Sequence, residues 1–246
     1  LYGAAAGMAV PILFIASSLI GSIAVVLAPE LSENFYRNRT ERLKRDVEKS
    51  VKSAMLIAFA LIPFLFALGE SVGEALFSDA LSGEIVKNCC FILLPMCISM
   101  ITNTVLNSMN REKATLIYYF CGAAATLICI AALTPAVGVY SYVIGLGAGF
   151  VITAAFNMRL LKKLCPGMKI FGYGIRCAAA CAMSCTFGIL FMGILENYLA
   201  AFWRLIVCAA VLAAFAAAAF LMFKTYSLAP LKDRLLKRRK VKNVQN

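Results

Sequence analysis

The chain contains no histidine, and only 15% of its 246 residues are charged. Without histidine a Ser–His catalytic pair cannot be built. Metal-dependent membrane enzymes draw on clusters of His, Asp or Glu, and no such cluster falls inside the apolar runs. A Gly-rich phosphate loop of the GxxxxGKS kind is missing too. With no catalytic constellation, the sequence reads as a protein that is not an enzyme and uses no cofactor or metal. Charge this scarce cannot cover a water-soluble surface, since soluble domains are normally about one-quarter charged.

What the chain has instead is apolar length. Hydrophobic residues make up 62% of it and the mean hydropathy is +0.86. The bilayer is therefore the expected solvent for most of the chain. The net charge of +12 could suggest nucleic acid, but the charges sit in short clusters between long apolar runs. That is how membrane proteins place them, and no nucleic-acid partner is expected.

A spanning helix needs about 20 mostly apolar residues. Seven runs qualify, at roughly 3–28, 52–77, 87–108, 114–133, 138–159, 172–194 and 200–223. Pro11 and Gly21 interrupt the first, and Pro63 and Pro95 the second and third. The expected fold class is thus all-α, a polytopic transmembrane helical bundle of about seven spans. All of the 24 basic residues except Lys87 and Arg204 lie in four segments, at 29–53, 109–113, 159–176 and from 224 onward. The alternate connections carry Glu70, Glu74, Asp79, Glu84 and Glu196. Lysine and arginine mark the cytoplasmic side. Residue 1 is then expected outside and the C-terminus inside, which requires an odd number of spans. The chain starts at Leu1 with no signal peptide. A piece of a longer protein that has lost its N-terminal part is therefore expected.

Two basic stretches are amphipathic. Residues 34–52 mix Phe35, Leu43, Val47 and Val51 with cations, and 228–244 sets Leu228, Leu231, Leu235 and Leu236 against a KRRK cluster. Each could lie on an anionic leaflet, or serve only as a positive anchor.

The ten cysteines lie mostly inside apolar runs, as Cys97, Cys121, Cys129 and Cys208 do. Cys177, Cys181 and Cys185 share one helix face. They could form a metal site or a stripe of small residues against another helix. The absence of histidine and of CxxC favours the stripe. Gly145 and Gly149 read as close helix packing. Glu70 and Glu74, one turn apart, are either a proton-coupling pair or an acidic cap at the outer interface.

Polar residues within a bilayer turn toward the bundle interior or a watery cavity. Ser99, Thr102, Asn103 and Asn107 cluster on one face of the third run, with Asn110 beyond them. The first run carries Ser17, Ser18 and Ser22. Ser18, Ser22, Ser99, Asn103 and Asn107 are the candidate residues of a substrate path, helix–helix hydrogen bonding being the alternative. Trp203 and Arg204 are candidates for the interface or a lipid headgroup.

Two stretches carry a family resemblance. YGAAAGMAVPILFIASSLIGSIAVVLAPELSE at 2–33, followed by a basic helix, resembles the opening of the C-terminal lobe of polysaccharide-export and lipid-flippase proteins. ILLPMCISMITNTVLNSMNREKATLIYYF at 92–120 resembles their span, short turn and immediate next helix. The nearest likeness is to the stage V sporulation protein B and peptidoglycan lipid II flippase families. Both belong to the multidrug/oligosaccharidyl-lipid/polysaccharide exporter superfamily, which also holds the MATE antiporters.

The resemblance implies the C-terminal lobe of a MATE/MurJ-like transporter fold. Lobe helices would occupy 1–165, two additional spans 166–224 and a basic cytoplasmic tail 225–246. It further implies a flippase of the bacterial plasma membrane that moves a lipid-linked oligosaccharide or peptidoglycan precursor by alternating access. The setting would be spore-cortex or cell-wall polysaccharide synthesis. Its partners would be the bilayer, the lipid-linked glycan and an N-terminal lobe of the same protein, without which no transport is expected. Residues 1–36 contain no arginine, a departure from the lipid II branch. The alternatives are a MATE-type cation-coupled multidrug antiporter, which would want acidic residues within the spans, and a non-transporting membrane assembly protein.

Overall fold

The computed structural model describes the backbone of residues 10–77, 80–138, 140–195 and 201–222, besides Gly7. Side chains are described for 10–73, 83–138, 140–193 and 207–219. Among these residues the chain is all-α. In order the helices are α1 (Val10–Tyr36), α2 (Thr40–Phe77), α3 (Ala80–Cys89), α4 (Leu93–Ser108), α5 (Glu112–Val137), α6 (Tyr140–Leu164), α7 (Phe171–Leu195) and α8 (Ala201–Met222). A single 3-10 turn, Cys90–Ile92, joins α3 to α4.

Six segments are long and apolar enough to cross a membrane: α1, Thr40–Gly73, Gly83–Ser108, α5, α6 and Phe171–Gly193. The protein is a multi-pass membrane protein built as a helical bundle. The seventh apolar run forms α8, 22 residues long. Its segment Val207–Ala219 is apolar but falls short of a span among the described residues. The basic tail from 224 lies outside the described residues.

The helices run up and down. Leu13 of α1, Val86 of α3 and Val143 of α6 share one apolar cluster, so three helix starts meet at one end. The α1–α2 turn and the α6–α7 connection meet at the other, where Lys44 lies against Gly167. The described basic segments therefore gather at a single end. At the opposite end Lys87 is paired with Glu70 at 2.7 Å, and Glu70 serves as a counter-ion there. The side chain of Glu74 is not among those described.

Both tight turns at the basic end have the same cause. Asn38 and Asn110 adopt left-handed backbone, with φ of 52° and 58°. In each turn the asparagine N–H bonds three residues back, to Phe35 and Asn107. The following N–H bonds five residues back, to Asn34 and Leu106. This is the paired C-terminal capping pattern that an αL residue permits, and asparagine tolerates αL better than most side chains.

The central element is α2, which packs against α1, α3, α4, α7 and α8. It is one helix of 38 residues through Pro63, about 57 Å long at 1.5 Å per residue. The hydrocarbon core is only about 30 Å thick, so the basic first turns of α2 extend beyond it. The expected amphipathic helix at 34–52 is not a separate element. Leu43, Val47 and Val51 are buried in the main core, so the face that would have met a leaflet is already occupied. The expected interruption at Pro63 is absent as well. At Pro95 it is real: the 3-10 turn precedes it, and Pro95 falls in the first turn of α4, where its missing N–H costs nothing.

Glycines set three close crossings. A Cβ on Gly83 would come 2.6 Å from Glu70 Cα, which holds α3 tight on α2. A Cβ on Gly122 would come 2.7 Å from the Gly149 carbonyl, so α5 and α6 touch backbone to backbone. Gly145 extends that seam, where a Cβ would come 3.0 Å from the Thr126 carbonyl. The close packing expected at Gly145 and Gly149 is thus seen. On α7, Cys177, Cys181, Ser184 and Cys185 are buried, and the stripe ends at Gly188 against Ala67 of α2. The cysteine face is a small-residue seam for α2. Among the described residues no group of three or more His, Cys, Asp or Glu could hold a metal.

Candidate functional site

Polar residues deep in a span need a partner or water. On α4, Ser99 and Thr102 satisfy their hydroxyls on their own helix, Ser99 Oγ donating to Met96 O at 2.8 Å and Thr102 Oγ1 to Ile98 O at 2.6 Å. Asn103 and Asn107 reach other helices. Asn157 on α6, fully buried, donates its amide to Asn103 Oδ1 at 2.7 Å and to Thr102 Oγ1 at 3.2 Å. Thr115 on α5 donates to Asn107 Oδ1 at 2.7 Å. One polar ladder therefore ties α4 to α6 and to α5. It leaves the Asn157 carbonyl oxygen buried with no hydrogen-bond partner.

Beside this ladder the bundle is open. Helix α5 lies along α6 and barely touches α4. Only Thr115 and Gly122 of its residues are buried. The gap is a cleft of about 430 Å³ whose polar lining is Ser99, Asn103, Thr126 and Thr153. Tyr119, Leu146 and Phe150 supply apolar walls. A second cleft of about 480 Å³, lined by Asn107, Glu112, Lys113 and Thr115, shares Asn103 and Tyr119 with the first. The two form one groove, from mid-span to the charged end of α5. Its character changes along the way from neutral amide and hydroxyl groups to a carboxylate and an ammonium.

Three of the five substrate-path candidates line this groove: Ser99, Asn103 and Asn107. Ser18 and Ser22 do not. Both are exposed on α1, and each donates to its own helix, to Ile15 O at 2.7 Å and Ser18 O at 3.2 Å. Hydroxyls that bond the preceding turn can face lipid without an unpaired donor. Ser17 is buried and bonded to Phe14 O. The side chains of Trp203 and Arg204 are not among those described.

Sequence reading passed over Asn157, Thr115, Thr126 and Thr153. Asn157 was the findable one, as an amide within an apolar run is a signal by itself. The threonines carried less signal, because threonine bonds readily to its own helix. Neither the family models nor the curated proteins searched contain a match to this chain.

Proposed function

We propose that the chain is one lobe of a membrane transporter that moves an amphiphile with a polar, saccharide-bearing headgroup between leaflets. The observation that carries this reading is the groove beside α4. It sets a line of amide and hydroxyl groups in a mostly apolar wall, it lies beside an α5 that is exposed along nearly its whole length, and it runs from mid-span to one charged end. Asn103, Asn107 and the hydroxyls present donors and acceptors suited to sugar hydroxyl groups. Passage between α4 and α5 would leave the lipid tail in hydrocarbon while the headgroup is sheltered. A second lobe facing α4 and α5 would close the groove into a cavity and let it open to each side in turn.

The basic end is the cytoplasmic one in this reading, by the bias of lysine and arginine. In this proposal the membrane is a bacterial plasma membrane and the cargo a lipid-linked oligosaccharide or peptidoglycan precursor. The family resemblance supports that choice of cargo. The test is reconstitution of the protein containing this chain into liposomes with a fluorescent lipid-linked glycan. The fraction of probe reachable from outside is then followed over time. Transbilayer movement is expected, slowed about tenfold by Asn103→Leu with Asn107→Leu, equivalent to raising the barrier for headgroup passage by about 1.4 kcal/mol. A leaflet distribution identical to that in protein-free liposomes would sink the proposal.

A further inference from the structure

A separate cleft of about 790 Å³ opens at the basic end, where α1, α2 and α7 meet. One face of the first turns of α2 lines it. The opposite face, with Leu43, Val47 and Val51, is buried in the core, which fixes the rotation of the helix. Lys44, Arg45, Lys49 and Lys52 line the cleft, with Glu41 and Glu48 among them. Lys52 is taken by Glu48, and its ammonium lies 5.5 Å from the centre of the Tyr173 ring on α7. Lys44 lies near enough to Glu48 to interact with its charge, but neither it nor Arg45 nor Lys49 forms an ion pair within 4.0 Å among the described residues. Further along α2 the lining turns apolar, with Leu56 and Ile57 beside Ile23 of α1. From Lys49 to Leu56 the helix rises about 10 Å. Cations thus sit at one end of the cleft and an aliphatic slot at the other.

We propose that this cleft binds one anionic phospholipid, its phosphate among Lys44, Arg45 and Lys49 and an acyl chain along Ile23, Leu56 and Ile57. Basic pockets between spans suit such headgroups. A phosphate alone would satisfy the cations but leave the slot unused. A neutral lipid would fill the slot and leave the excess of cations over carboxylates unanswered. The site is independent of the transport reading, because none of its residues lines the groove beside α4.

The test is native mass spectrometry of the purified chain in neutral detergent, titrated with dioleoyl phosphatidylglycerol or dioleoyl phosphatidylcholine. Binding of the anionic lipid in preference to the neutral one is expected. Lys44→Gln/Arg45→Gln/Lys49→Gln should weaken it about tenfold or more. The conservative set Lys44→Arg/Arg45→Lys/Lys49→Arg should retain it, which guards against a folding defect. Leu56→Trp should weaken it with no change of charge, by filling the slot. Arg111→Gln/Arg159→Gln/Lys163→Gln, which removes three exposed cations that do not line the cleft, should have little effect. Equal loss in that control set would reduce the site to general attraction by a basic surface and overturn the proposal. Displacement by inorganic phosphate, with Leu56→Trp silent, would make it a phosphate site and overturn the lipid. Absence of any preference between the two lipids would also overturn it.

Discussion

Asn157 joins α4 to α6, and its two donated bonds have different acceptors. Replacing it by leucine keeps most of the volume but strips Asn103 Oδ1 and Thr102 Oγ1 of their donor. Hydrogen bonds between membrane helices are worth about 0.6 kcal/mol on average and up to about 1.7. Asn157→Leu is therefore expected to lower stability by about 1 kcal/mol, read by reversible unfolding in mixed micelles. Asn157→Ala should cost more, because it adds a cavity. At the α4–α5 turn the backbone decides. Asn110 has φ of 58°, a region that costs a β-branched residue roughly 1–2 kcal/mol and glycine almost nothing. Asn110→Gly is expected to be neutral and Asn110→Val destabilising by that amount in the same assay.

Lipid is as apolar as leucine, so packing and hydrogen bonds, rather than water exclusion, hold membrane helices together. The α5–α6 seam shows this. A side chain on Gly122 meets the Thr153 hydroxyl, which can rotate aside, and the Gly149 carbonyl, which cannot withdraw without moving a helix. Gly122→Val is expected to lose about 1–3 kcal/mol through overpacking. Gly172→Ala meets nothing within 4 Å and should be neutral or slightly stabilising. Thermal unfolding in detergent separates the two outcomes. The seam was legible in the sequence as Gly145 and Gly149, but its other half at Gly122 was not. A single glycine in an apolar run gives no period to recognise. The length of α2 was missed for a related reason. Residues 40–52 are polar and 53–73 apolar, so composition divides them, while an unbroken helix with no capping signal joins them. Ser18 and Ser22 were placed on the substrate path because serine is polar. Their bonds to the preceding turn removed the need for any interior partner.

Across the whole molecule, the alternation of basic segments was readable, and the bundle gathers the described ones at one end. Which compartment that end faces is checked by labelling. Lys163 and Glu84 are exposed and belong to opposite ends. With a membrane-impermeant maleimide on intact cells, Glu84→Cys is expected to label directly. Lys163→Cys is expected to label only after permeabilisation, each read against the parent chain. The opposite pattern would invert the orientation proposed above. Cys165 is a poor reporter despite its position in the same connection, because it is buried. The groove beside α4 could not be located from sequence alone. Its existence depends on α5 leaning on α6 rather than closing against α4, a choice made by glycine and threonine contacts that carry no hydropathy signal.

The near-bareness of α5 bears on biogenesis. Chains are made from the N-terminus, so α5 enters the bilayer before α6, its principal partner, exists. A helix that is apolar all round can wait alone in lipid. The helix that follows carries Ser141, Thr153 and Asn157. It arrives with acceptors on α4 and the close-approach point at Gly122 of α5 already in place. The order of synthesis thus puts the self-sufficient helix first and the dependent one second, so the polar span never has to stand unaccompanied in hydrocarbon.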